Sequence, residues 1–245
     1  MILDGRIRAP GLGFRTLTLL SSKGGTGKTT LAVQLAVIAA GLGLEPVLLD
    51  CDPQRSASDW SSVRGLPKPQ VIRVQPQMMK ELHFRLRQSE VKLLIIDTPP
   101  SGGPETTDAL SLSDLSLIVC RPSAFDVWAV GRAAQLASQL SFRSEFVINQ
   151  APAKRSGRES ATVLEAAETL RRYGVSVAPI GLRTRVDYSN AVKTGRSVTE
   201  TAPESVAAKE LLHLWSHVDE MLWGGRAATQ HPVRGEGERM RPMGL

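Results

Sequence analysis

A chain of 245 residues, 42% apolar and 22% charged, can bury one large α/β core or two small ones. Its formal charge of +6 admits an acidic partner such as nucleic acid without requiring one, since solvated arginine faces give the same sum. Two cysteines, Cys51 and Cys120, are too few for a disulfide scaffold or a metal framework, and each ends an apolar run expected in a reduced interior. No stretch approaches the ~18 apolar residues of a membrane helix; Leu31 to Leu44 is broken by Gln34, Gly41 and Gly43. The N-terminus, with Arg6 and Arg8, lacks the apolar core and cleavage site of a signal peptide.

Residues 1–15, with Gly5, Gly11, Gly13 and Pro10, read as a poorly ordered lead-in too short for a helix-turn-helix domain. A strand over Thr16–Leu20 runs into Ser22-Lys23-Gly24-Gly25-Thr26-Gly27-Lys28-Thr29-Thr30, and a helix over Lys28–Leu42 follows. Strand, glycine-rich turn and helix in that order make a phosphate loop: glycines let successive N–H groups face one anion, and the helix adds its positive end. Lys28 then reaches the phosphates and the Thr29 hydroxyl is placed to ligate Mg²⁺. Lys23, Gly24, Gly25, Thr26, Gly27 and Thr30 complete the nucleotide-binding set. A chance glycine-rich turn would have to place two lysines, three glycines and two threonines by accident.

The loop departs from the P-loop template in one respect. Ser22 stands where the template has glycine, and a second lysine, Lys23, follows it. This Lys-Gly-Gly-x-Gly-Lys-Thr arrangement resembles the deviant Walker A motif of the ParA/MinD ATPases. The resemblance implies that Lys23 crosses a dimer interface to the nucleotide of the partner subunit.

Strand two, within 45–54, ends in Asp50-Cys51-Asp52-Pro53-Gln54, at the sheet edge where ligands of parallel sheets bind. It looks like the second signature of the family, with Asp52 orienting or activating the attacking water. The alternative is that Asp50 and Asp52 cap the helix Ser56–Val63. A short strand, Val71–Val74, and a helix, Met78–Gln88, come next, with Met78 and Met79 expected in the core. Lys92–Asp97 is a buried strand ending in an acid, a Walker B pattern in which Asp97 would hold Mg²⁺ opposite Thr29. The Thr98-Pro99-Pro100-Ser101-Gly102-Gly103 run that follows resembles the family's switch II.

Leu115–Cys120 is a strand, and Ser123 with Asp126 reads as the N-cap of a helix to about Leu140. Glu145–Asn149 is another strand. The resemblance puts Asn149 against the adenine, though a strand-ending Asn is also ordinary turn chemistry. A helix over Ser160–Tyr173 and a strand over Val175–Pro179 follow, with Pro179 counted among the nucleotide-binding residues. The last helix is expected to begin at Thr201–Glu204 through a capping box, to bury Val206, Ala207, Leu211, Leu214, Val218, Met221 and Leu222, and to stop at Gly224-Gly225. Its polar face would carry Glu204, Glu210, His213, Asp219 and Glu220.

The expected architecture is α/β: a single P-loop NTPase domain over 16–223, with a mainly parallel twisted sheet and helices on both faces, then a flexible basic tail over 224–245. The resemblance implies a slow, partner-stimulated, cytoplasmic ATPase that binds ATP and Mg²⁺ and forms a homodimer with ATP between the subunits. As a short ParA it would bind nonspecific DNA, on the nucleoid, and answer to a ParB-like activator in plasmid or chromosome partition. Lys154, Arg155, Arg158, Arg183, Arg185, Lys193 and Arg196 are the candidate DNA contacts, with a solvated surface as the alternative. Two other readings stay open: a relative that positions another cargo, and a MinD-like membrane-cycling ATPase. The second is disfavoured by the acidic face of the last helix, so no stable membrane association is expected. The iron–sulfur branch of the family needs paired cysteines, and neither Cys51 nor Cys120 is placed for that.

Overall fold

Apolar runs with few polar interruptions become strands covered on both sides. The computed structural model describes residues 12–100, 103–131, 134–135 and 142–224 and sets seven such strands in one sheet. They are β1 (Arg15–Leu20), β2 (Val47–Asp50), β3 (Gln70–Arg73), β4 (Leu93–Asp97), β5 (Leu115–Cys120), β6 (Ser144–Ile148) and β7 (Ser176–Val177). Their order is β3-β2-β4-β1-β5-β6-β7, with every pairing parallel. The strand order reverses at β1, which puts the loop after β1 at the place where open parallel sheets bind ligands. Register aligns Leu19 with Asp97 and Asp97 with Asp50, so the turns after β1, β2 and β4 leave the sheet side by side.

Alternation along β1 assigns the two faces. Leu17 and Leu19 join a core with α1 (Lys28–Gly41), α2 (Ser56–Arg64), α7 (Val186–Lys193), α8 (Val198–Thr201) and α9 (Val206–Trp223). Between them Thr18 points the other way and bonds Ser113, just past α4 (Pro104–Ser111). That second face is covered by α3 (Met79–Arg87), α4, α5 (Ala124–Ala129) and α6 (Ala161–Arg171).

Several expectations shift. A 3₁₀ turn over Pro76–Met78 precedes α3, and only Met79 is buried; Met78 is exposed. The capping box forms at Ser197 and Glu200, not at Thr201–Glu204. There the Ser197 N–H donates to Glu200 at 2.8 Å and opens α8, whereas Ser205 caps α9. Thr201 already ends α8, and Pro203, lacking an N–H, sits in the turn between the helices. Val206 is 56% exposed, and Asp219, expected on the outer face, is buried. The αL cap at Gly224 ends α9 as expected. The far part of the helix expected to reach Leu140, residues 1–11 of the lead-in and the tail from 225 lie outside the described residues.

Leu211→Ala should cost roughly 2–5 kcal/mol in urea unfolding, because it empties a fully buried site. Val206→Ala should cost about 0.5 kcal/mol or less; equal losses would contradict this placement of α9.

Candidate nucleotide site

Gly25 and Gly27 take φ of 76° and 85°, a left-handed turn that swings the chain from β1 into α1. Gly27 caps α1 without a side-chain hydrogen bond, so no cap side chain competes with an anion for the first-turn N–H groups. The loop is braced from behind by β6. Asn149 Nδ2 donates to the Thr26 carbonyl at 2.7 Å, and Gln150 Nε2 donates to the Gly25 carbonyl at 2.8 Å. A Cβ on Gly27 would sit 2.3 Å from Asn149 Nδ2. Asn149, expected at the adenine, thus has its amide nitrogen engaged by the loop; neither it nor the exposed Pro179 lines the cavity.

That cavity, about 300 Å³, is walled by Lys23–Thr30 together with Asp52, Gln54, Trp60, Pro100 and Val192. Lys28 is buried, with Nζ 2.6 Å from Asp97 Oδ1 and 3.9 Å from Asp52 Oδ2. Burial raises the Asp97 pKa, and the Lys28 ammonium pulls it back only in part. The Thr29 hydroxyl also lowers it, and Asp97 Oδ2 is buried without a hydrogen-bond partner among the described residues. An orphaned carboxylate oxygen beside a hydroxyl suits a hard cation such as Mg²⁺.

The other acids divide the work. Asp50 anchors the start of α2, accepting from Ser58 N at 2.8 Å and Ser58 Oγ at 2.6 Å. Capping therefore describes Asp50, whereas Asp52 stays at the cavity and stiffens its own turn by accepting from Gln54 N at 2.9 Å. Lys23 lies at the cavity mouth, its Nζ 5.6 Å from the centre of the Phe125 ring. Phe125 and Trp128 form an edge-to-face pair, 71% and 64% exposed.

The basic residues separate as well. Arg183 is removed from the DNA-facing set, because it is buried, paired with Glu159 and bonded to the Pro152 carbonyl. Arg185 is held by both oxygens of Glu210, and Lys154 lies 3.2 Å from Glu159. Arg155 and Arg158 stand on an exposed tight turn, Lys193 is exposed, and Arg196 is half-exposed with Glu200 at 3.9 Å.

Strand, left-handed glycine turn, buried lysine and paired acids on neighbouring strands define a P-loop nucleotide-binding domain. Residues 17–198 match the family model described as the CobQ/CobB/MinD/ParA nucleotide binding domain, and the chain belongs to that family. It is 30% identical over 125 residues to Protein ParA of Rhizobium radiobacter, which covers 50% of this chain and 56% of that protein. It is 28% identical to maintenance of carboxysome distribution protein A of Halothiobacillus neapolitanus, over 80% of this chain and 91% of that one. The septum site-determining protein MinD of Pyrococcus horikoshii, solved with Mg-ADP, superposes with a TM-score of 0.69 at 16% identity, over 89% of this chain and all of that one. This last likeness is one of fold.

Gln150, Trp60 and Phe125 were not foreseen. A Gln after a strand and aromatics in short helices carry no local signal; only the fold brings them to the loop.

Gly27→Ala should abolish binding of a fluorescent ATP analogue while leaving the circular dichroism intact, since the Cβ meets both a left-handed φ and Asn149; wild-type affinity would contradict the bracing. Burial also pushes both thiols up from 9.0 to about 12. A raised thiol pKa means that any stability it lends is complete below about pH 9 and lost toward pH 12. At pH 8 Cys51 and Cys120 should resist a thiol reagent until the chain is unfolded; rapid labelling of the native protein would contradict it.

Proposed function

We propose that this chain is an ATP-dependent dimerising switch that binds nonspecific DNA in its ATP form and serves partition with a ParB-like partner. The observation that carries the reading is the second lysine of the loop. Lys28 is buried and already beside the acids, whereas Lys23 is only half-buried in the cavity lining and lies against an exposed aromatic ring. In this reading Lys28 and the loop amides bind the phosphates in cis, and a second copy supplies Lys23 to the developing γ-phosphoryl charge. Asp52 orients the attacking water. Thr29 and Asp97 hold Mg²⁺, which would neutralise phosphate charge when bound with the nucleotide. Without the second copy the site lacks a cation, so turnover is slow and the molecule acts as a timer.

Arg155, Arg158, Lys193 and Arg196 are the surface cations proposed to meet DNA phosphates, with Lys154 and Arg185 as partners already shared with acids. The cycle would run in the cytoplasm, on the nucleoid while ATP is bound. A second reading keeps the same switch but gives it another cargo; the match along most of the carboxysome-distribution protein favours keeping it. A membrane-cycling role finds no support in α9, whose Trp215 and Trp223 are buried in the core and not offered to an interface.

Lys28→Ala should lose ATP binding, and ATP affinity near wild type would remove it from the phosphate site. Lys23→Ala should still bind ATP but elute as a monomer in ATP, and Asp52→Ala should remain an ATP-bound dimer with turnover down by about 10²-fold or more. Retention on nonspecific DNA should need ATP and fall steeply between 50 and 200 mM salt; retention without nucleotide, or without salt dependence, would overturn the DNA assignment.

A further inference from the structure

A charged junction outside the phosphate loop ties α2 to the run 192–200. Arg64, the last residue of α2, is buried. Its Nε donates to the Lys68 carbonyl at 2.8 Å, and Nη1 donates to the Gly195 carbonyl and to Glu200 Oε2, both at 2.9 Å. Nη2 donates to Glu200 Oε1 at 2.8 Å. The guanidinium lies over the indole of Trp60, 5.2 Å from the ring centre. The backbones touch too: Gly195 has φ of 64°, and a Cβ there would stand 2.3 Å from Arg64 N and Cα. Glu200 is held below the ordinary 4.5: its burial works against the charge, but the bonds from Arg64 and the Ser197 N–H outweigh it.

Each end of this junction leads somewhere. Trp60 and Val192 are both in the wall of the phosphate cavity, and Trp60 Nε1 is buried with no hydrogen-bond partner among the described residues. At its other end α2 hangs from Asp50, next to the Asp52 turn. The run 192–200 carries Lys193 and Arg196, the latter also sharing Glu200. It is gripped from α1 as well, where the buried Gln34 Oε1 accepts from Ser197 Oγ at 2.7 Å and Val198 N at 2.9 Å.

We propose that Arg64 is a positioning residue: stacked on the cavity-wall Trp60 and clasped by Glu200 and Gly195, it lets nucleotide in the phosphate cavity set the placement of the basic run 192–200. The inference rests on the ATP-switch reading of that cavity. A planar fork bonded on three sides and stacked on a ring transmits displacement, where a single flexible contact would absorb it. Because Gly195 packs directly on Arg64, a shift of α2 carries Lys193 and Arg196 with it.

The test is hydrogen–deuterium exchange of the full chain with ATP·Mg²⁺, with ADP and without nucleotide, read on peptides spanning 190–201. In the wild type ATP should change exchange there by about threefold or more relative to ADP. In Arg64→Lys, which keeps the charge and loses the fork, that difference should vanish while ATP affinity stays within about threefold. Glu200→Gln, which keeps the shape and removes the charge, should weaken it in the same direction and serves if the lysine variant does not fold. An unchanged 190–201 response in both variants, or none in a wild type that binds ATP, overturns the inference. A wild type that binds no ATP overturns the cavity reading and the inference together. DNA retention, measured in parallel, bears on the partition reading alone.

Discussion

A buried ammonium must have an anion beside it, and the site is organised by which anion Lys28 meets. Within the chain that anion is Asp97, 2.6 Å away and fully buried, with Asp52 at 3.9 Å. Removing one member of such a pair costs about 3–5 kcal/mol, since it strands the other charge in a dry interior. The contact therefore fastens the phosphate loop to β4 until a polyphosphate offers a richer set of oxygens. On the proposed reading, transfer of Lys28 to phosphate would leave Asp97 as an unpaired carboxylate near Thr29, so that seating a nucleotide would also free oxygen donors for its cation.

Lys23 extends that logic beyond one chain. Its ammonium rests over Phe125, a contact weak enough at an exposed site, about 0.5–1 kcal/mol, to be given up for a phosphate. One loop so presents two cations with opposite habits, one sunk among acids and one held at the rim. The first suits tight binding in cis; the second suits delivery to a neighbour. On the proposed reading, hydrolysis by an isolated copy would be slow for want of the second cation, not through any defect in the cis residues.

The fold and the place of the loop were legible in the residues because phosphate loops are local. Ser22–Thr30, Asp52 and Asp97 lie within or just after strands whose apolar runs are unmistakable, and five of the seven strands are buried on both faces, so a period-free run is itself the signal. What could not be read were the long-range partners. Asn149 was expected at adenine, and the end of its strand also brings its amide to the Thr26 carbonyl, a contact with no trace in the local sequence. Arg183 carries the same charge as Arg155, but Glu159 and the Pro152 carbonyl draw it inside. The capping box moved to Ser197 because Glu200, three residues on, also had Arg64 to hold it in place. Charge and propensity are written in the chain; which charge finds which partner is settled by the sheet.

The most direct test of the two-lysine account is a crystal structure of the chain with a non-hydrolysable ATP analogue and Mg²⁺. The account predicts a two-fold pair in which Lys28 has left Asp97 for the phosphates of its own nucleotide and Lys23 touches those of its neighbour. A nucleotide-bound single copy with Lys23 still over Phe125 would contradict it.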